Sequence, residues 1–159
     1  KRSMNMNKVL KITLLVLAGA FLVIQFFRPT FSNPPIVPGQ TNEESANVPS
    51  GVQMVLARSC NDFHSNKTIH PWYTQIAPVS WWLSDHINEG RGELNFSEWN
   101  TYTAKKKAHK LEEICEHVES GEMPLNSYLW LHRDAALAPE QSRMLCDWAK
   151  AERAKITVE

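Results

Sequence analysis

The feature that most constrains this chain is a long apolar run near its N-terminus, residues 9–27, VLKITLLVLAGAFLVIQFF. Nineteen helical residues extend about 28 Å, close to the roughly 30 Å hydrocarbon thickness of a bilayer. Lys8 and Lys11 lie at its N-terminal end, and positive flanks favour the cytoplasmic side. A cleaved signal peptide is the alternative, but no convincing small-x-small cleavage site follows Phe27. We therefore predict an uncleaved signal anchor over residues 1–28, with the rest of the chain in the periplasm.

Charge separates the two parts of the chain. Residues 1–28 contain five basic and no acidic residues, so the remainder has 17 − 5 = 12 basic against 17 acidic residues, a net charge of −5. A mildly acidic domain is poorly suited to phosphate backbones, and we expect no nucleic-acid partner. Residues 29–49 contain five prolines among polar residues, which predicts an extended linker between the anchor and a domain over residues 50–159.

Within residues 50–159 apolar residues recur at helical spacing, and strand signals are scarce. The pattern predicts a helix ending just before Cys60, a short helix from residue 79 that Gly90 closes, and a long helix over 103–120 that Gly121 closes. A last helix begins near Pro139, a favoured first helical position. The predicted class is all-α, a small helical domain preceded by one transmembrane helix.

Residues 60–64 read Cys-Asn-Asp-Phe-His, which is a c-type haem attachment signature, C-x-x-C-H, with one cysteine missing. In this signature the cysteines form thioethers to the haem vinyl groups and the histidine binds the iron. Cys60 and His64 keep their relative positions, whereas Phe63 occupies the place of the second cysteine. We predict His64 as the proximal ligand, Cys60 as a single thioether, and Phe63 packed on the porphyrin edge.

The distal iron ligand, which would lie opposite His64, is less constrained by the sequence. Met123 lies in a Gly-Glu-Met-Pro turn between the motif and the last helix, the order found in small all-α cytochromes, and Met/His ligation is typical of electron-transfer cytochromes c. His86 and then His132 are the alternatives, followed by His70. The aromatic residues between 72 and 99 are expected to form core or porphyrin walls.

The cysteines outside the motif, Cys115 and Cys146, both fall on apolar helix faces. They could form a disulfide in an oxidising compartment or remain buried thiols, and the sequence leaves both open.

Two segments, SCNDFHSNKTIHPWYTQIAPVSWWLSDHINEGRGELNFSEW and LEEICEHVESGEMPLNSY, resemble the membrane-anchored bacterial haem-binding domain family related to class I cytochromes c. The resemblance covers roughly residues 50–155 and implies a cytochrome c-like fold and haem binding. It matches Cys60 to the first motif cysteine, His64 to the proximal ligand and Met123 to the distal ligand. Phe63 departs from the family pattern.

These observations predict a periplasmic, membrane-anchored electron carrier with one c-type haem, served by a redox protein partner. A six-coordinate iron needs no substrate site, so we do not expect an enzyme. Two alternatives remain: a haem-based sensor in which Met123 exchanges with a gas, and a haem-free interaction domain derived from a cytochrome.

Overall fold

The computed structural model describes residues 6–156, and within that range all regular secondary structure is helical. This confirms the predicted all-α class. Four short 3₁₀ turns accompany the α-helices, at Gln25–Phe27, Trp72–Gln75, Phe96–Thr101 and Arg133–Ala135. In chain order the α-helices are α1 Met6–Ile24, α2 Asn42–Ser45, α3 Ser50–Ser59, α4 Asn61–His64, α5 Val79–Glu93, α6 Ala104–Glu119, α7 Asn126–Leu129 and α8 Pro139–Ala154.

The described residues divide into two compact units. The first, unit 1, contains residues 6–32 and 70–86, and the second, unit 2, contains residues 33–69 and 87–156. In unit 1, α1 and the 3₁₀ turn after it form a continuous apolar stretch, Met6–Phe27, of 22 residues, and its apolar window is not buried within the protein. By length and composition this stretch can cross a membrane, which agrees with the predicted anchor.

The core of unit 2 is formed by α3, α6, α8 and the 3₁₀ turn Phe96–Thr101. Val52 and Leu56 from α3 meet Leu111 from α6 and Leu145 from α8, and all four side chains are buried. Cys115 of α6 and Cys146 of α8 form a disulfide, with a Cα–Cα separation of 4.8 Å. Of the two states that the sequence left open for these cysteines, the structure thus has the disulfide, which cross-links α6 and α8 within this core.

The long central helix follows the sequence prediction closely. The Thr103 side chain accepts a hydrogen bond from the Lys106 N–H at the start of α6, which satisfies one of the otherwise unpaired amides of the first turn. Gly121 has φ +76° just after the helix, a conformation that glycine adopts without strain. Local sequence signals alone thus set both ends of α6.

One expectation about the chain differs from the structure, since Gly90 does not end α5, which continues to Glu93. The segment 33–48, part of the predicted linker, is grouped with unit 2. In this segment α2 follows the buried Thr41, and Asn100 donates its backbone and side-chain N–H groups to the carbonyls of Gln40 and Gly39. Proline-rich composition does not reveal such tertiary hydrogen bonds.

Candidate functional site

The predicted attachment segment folds as one helical turn. The chain leaves α3 at Ser59, turns at Cys60, and forms α4, Asn61–His64. The N–H of His64 donates to the Cys60 carbonyl over 3.0 Å. This backbone bond places the Cys60 and His64 side chains one turn apart, on neighbouring positions of the same helical face.

His64 is held by two backbone carbonyls from the end of α5. Its Nδ1 lies 3.0 Å from the Gly90 oxygen and 3.2 Å from the Leu94 oxygen. Because carbonyls only accept hydrogen bonds, Nδ1 carries the proton. Burial lowers the pKa of His64, and this effect outweighs the opposing influence of the two carbonyls. The ring is therefore neutral near pH 7, with its lone pair on Nε2, which is the form that binds metals.

Gly90 allows α5 to approach this turn closely. A Cβ atom at position 90 would lie 2.7 Å from the carbonyl oxygen of Phe63 and 3.1 Å from its Cβ. No side chain other than hydrogen fits without backbone movement. The close approach brings the Gly90 carbonyl to His64, although the same oxygen also accepts the helical hydrogen bond of Leu94. Gly90 thus serves tertiary packing rather than the end of a helix. Local sequence does not reveal that packing, so it suggested a helix end instead.

The loop after His64 is fixed by buried polar side chains. Asn66 donates its backbone N–H to the Ser97 hydroxyl over 3.0 Å and accepts from the Asn95 amide over 2.9 Å. Arg91 donates to the Ser65 carbonyl over 2.9 Å and to the Thr68 hydroxyl over 2.8 Å. These contacts give Ser65-Asn66 and the segment 95–99 a physical role, because they hold the chain that leaves His64.

Sequence reasoning did not assign a site role to Gly90, Arg91, Asn66 or Asn95. Their partners lie 23 to 31 residues away along the chain. The single local signal is that the Asn95 side chain caps the turn that follows it, accepting from the Ser97 N–H.

Phe63 is buried on the other side of the turn. Its ring meets Tyr128 of α7 edge to face, with centroids 5.0 Å apart. The Tyr128 hydroxyl donates to the carboxylate of Asp62 over 2.7 Å, and the ring of His132 stacks on Tyr128 at 4.2 Å. The residue in place of the second cysteine therefore packs within unit 2 and joins α4 to α7.

Cys60 has a free, half-buried thiol that packs against the core. Burial raises the pKa of this thiol to about 12. The folded chain consequently holds Cys60 as a neutral thiol at physiological pH, unlike the reactive cysteines of thiol enzymes.

The candidate distal ligands lie on other elements. Met123 is half-buried on the loop after α6, where its N–H donates to the His117 carbonyl over 3.0 Å. His86 belongs to unit 1 and its Nδ1 lies 2.9 Å from the Trp82 carbonyl. The structure thus brings Cys60, Phe63 and His64 together, and Met123 comes from a separate loop of unit 2.

A small helical domain that holds a neutral imidazole with its proton on Nδ1 offers the form of histidine that a metal ion or haem iron binds. A family model described as haem-binding domain matches residues 19–151 of the chain. The chain belongs to this haem-binding domain family, and haem is its expected cofactor. Searches of curated proteins and of solved structures returned no match.

Proposed function

We propose that the protein is a membrane-anchored electron carrier that binds one haem through Nε2 of His64, with its haem domain in the periplasm. The observation that carries this proposal is the pair of carbonyl contacts to His64 Nδ1, at 3.0 and 3.2 Å. They fix the tautomer and the plane of the ring, and they increase the basicity of the nitrogen that would face the iron. When bound, the haem supplies a one-electron Fe(III)/Fe(II) couple.

Cys60 is proposed to bind the haem covalently. Its thiol S–H would add across one vinyl C=C bond, with sulfur on one carbon and hydrogen on the other. The neutral, half-buried thiol of the folded chain is a poor nucleophile. The bond should therefore form before unit 2 has folded around Cys60. Phe63 contributes packing against Tyr128 in place of a second thioether.

Met123 is proposed as the second axial ligand. Its loop begins at Gly121 with φ +76° and is held by the hydrogen bond to the His117 carbonyl, so its position is defined by the backbone. His/Met ligation raises the reduction potential and is typical of electron transfer. Two protein ligands would leave no iron position for a substrate, which favours a carrier over an enzyme.

The periplasmic location is supported by two features. The Met6–Phe27 helix can cross a membrane, with Lys8 and Lys11 at its N-terminal end. The Cys115–Cys146 disulfide fits an oxidising compartment, which is also where c-type haem is attached.

The decisive experiment expresses the full chain with a c-type maturation system and extracts it with acid and organic solvent. We expect a pyridine haemochrome signal that stays with the protein and becomes extractable in Cys60→Ser. In His64→Gln the haem should lose its low-spin spectrum, whereas His109→Gln, whose side chain is 63% exposed, should match the parent. A His64→Gln protein with the parent spectrum would contradict the proposed ligand.

The distal ligand is tested separately by carbon monoxide. Met123→Leu should open the sixth position, so that the ferrous protein binds carbon monoxide rapidly while the parent binds it slowly. His132→Gln and His86→Gln serve as controls and should leave binding slow. Rapid binding by the parent would instead support the sensor alternative, and slow binding by Met123→Leu would exclude Met123 as the ligand.

A further inference from the structure

We infer that unit 1 carries a membrane-interface surface, in which Trp72, Trp81 and Trp82 lie in the lipid headgroup region beside the end of the anchor helix. We call these three residues the tryptophan surface. The inference rests on the anchor part of the proposed function and adds a second, peripheral contact with the same bilayer.

The first observation is a reciprocal pair of hydrogen bonds between the anchor and the segment before α5. The Gln25 amide donates to the Ala77 carbonyl over 3.0 Å, and its oxygen accepts the Ala77 N–H over 3.0 Å. Ala77 is fully buried. One side chain thus satisfies both backbone groups of a residue 52 positions away, so the two segments are fixed side by side.

Two further hydrogen bonds join the same elements. The Trp81 indole N–H donates to the Phe27 carbonyl over 2.7 Å, and the Arg28 guanidinium donates to the Gln75 carbonyl. Carbonyls at a helix C-terminus have no partner within the helix, so Trp81 satisfies a group that would otherwise need water or lipid headgroups. The atoms joined by these four bonds therefore share nearly the same depth, to within a hydrogen-bond length of about 3 Å.

This shared depth determines what surrounds the tryptophans. A membrane-spanning stretch that ends at Phe27 places that residue at the boundary between hydrocarbon and water. Trp81 must lie at the same boundary because its indole bonds to Phe27. Tryptophan is enriched at this depth, since its ring is apolar and its N–H is polar.

The exposure of the tryptophan surface is unusual for apolar side chains. Trp72 is 76% exposed, Trp81 37% and Trp82 41%, so they do not form protein core, which was one of the two roles predicted for them. By contrast, Trp99 and Trp148 are buried in unit 2. Large exposed aromatic side chains, such as the adjacent Trp81 and Trp82, are typical of contact surfaces.

The sequence of this segment supplies an independent argument. Residues 70–84, HPWYTQIAPVSWWLS, contain no Lys, Arg, Asp or Glu, although such residues make up 21% of the chain. A charge-free stretch with three tryptophans suits the headgroup–hydrocarbon boundary, where inserting a charge costs free energy. Charge recognition of a protein partner would need the residues that this segment lacks.

The test uses the full chain, labelled with 5-fluorotryptophan and reconstituted in phosphatidylcholine nanodiscs. The six tryptophans give six fluorine signals, which single Trp→Phe variants assign. Lipids carrying a nitroxide at the headgroup are then added in increasing proportion. Because contact is the shortest distance available, the signals of Trp72, Trp81 and Trp82 should disappear first.

Trp130 is the matched control, because it is 77% exposed but belongs to unit 2. Its signal should outlast those of Trp81 and Trp82. If the signal of Trp130, Trp99 or Trp148 disappeared before those of Trp81 and Trp82, the inference would be overturned. Gln25→Ala, which removes the bonds to Ala77, should delay the loss of the Trp81 signal, whereas Gln53→Ala in unit 2 should not.

Carbonate extraction of membranes distinguishes a failure of this inference from a failure of the proposed membrane anchor. A chain released by carbonate would have no spanning anchor, and both would fail. A chain that stays in the membrane while its Trp81 and Trp82 signals persist would overturn the membrane-interface surface alone. Neither result bears on haem binding by His64.

Discussion

His64, the proposed haem ligand, takes its tautomer from groups that are distant in the chain. Its carbonyl partners, Gly90 and Leu94, lie 26 and 30 residues away. They decide which ring nitrogen keeps the proton, and burial keeps the ring neutral. The spacing of Cys60 and His64 predicts a haem ligand, but the tautomer depends on a tertiary contact that spacing cannot show.

The Cys60 thiol should react very slowly with alkylating reagents in the folded, haem-free chain. Raising its pKa from 9.0 to about 12 reduces the thiolate fraction at pH 8 by about a thousandfold. We expect iodoacetamide to modify Cys60 very slowly in the native chain and readily in denaturant, as measured by mass spectrometry.

The native rate should still increase with pH above about pH 10, where an ordinary thiol with a pKa of 9.0 is already largely ionised. Cys115 and Cys146 should stay unmodified without reductant because they are paired. Equal rates for Cys60 in native and denatured protein would contradict its burial.

The last turn of α5 is the element that supports the candidate site. It supplies the Gly90 carbonyl to His64 and Arg91 to the loop at 65–68. Two glycines in this turn, Gly90 and Gly92, have opposite surroundings, since a Cβ at 90 would meet Phe63 while a Cβ at 92 meets nothing within 4 Å.

Gly90→Ala should therefore destabilise unit 2 by about 1–3 kcal/mol, because α5 must move away from Phe63. Gly92→Ala should be neutral or stabilising by up to about 1 kcal/mol, since alanine favours helix. Urea unfolding in mild detergent measures both. In Gly90→Ala the haem spectrum should also broaden or lose its low-spin form. Equal stabilities for the two variants would show that the close approach is not required.

Elements with strong local signals were predicted correctly, whereas those that depend on distant partners were not. Thr103, the periodic residues of α6 and Gly121 predicted that helix almost to the residue. Gly90 looked like a stop because glycine ends many helices, and only its packing against Phe63 shows otherwise. The exposed tryptophans of unit 1 were expected in the core or in porphyrin walls, because apolarity alone does not identify what an aromatic side chain contacts.

For the whole molecule, the cross-link between α6 and α8 should be a large part of unit 2's stability. The cysteines are 31 residues apart, and closing such a loop in the unfolded chain is worth about 3.7 kcal/mol in the chain-entropy model. A Cys115→Ser/Cys146→Ser variant should lose about this amount in urea unfolding. Cys60→Ser, which removes a thiol but no cross-link, should lose far less. A loss no larger than that of Cys60→Ser would argue against the disulfide.

The orientation of the chain is a further prediction at this scale. Lys8 precedes the apolar run and Lys11 lies near its start. Because positive charge favours the cytoplasmic side, the C-terminus should face the periplasm. A C-terminal alkaline phosphatase fusion should be active, and a C-terminal fluorescent protein that matures only in the cytoplasm should be dark. The reverse pattern would place the domain in the cytoplasm and remove the basis for a c-type haem.

The disulfide has a consequence for how the protein is made. Three cysteines allow three different single disulfides, and only the pair Cys115–Cys146 leaves Cys60 free for the proposed attachment of haem. A newly exported chain that oxidises Cys60 with either partner is both unloaded and wrongly cross-linked. If Cys60 binds haem as proposed, haem delivery competes with thiol oxidation during biogenesis, and cofactor loading should then depend on the cell's disulfide isomerase.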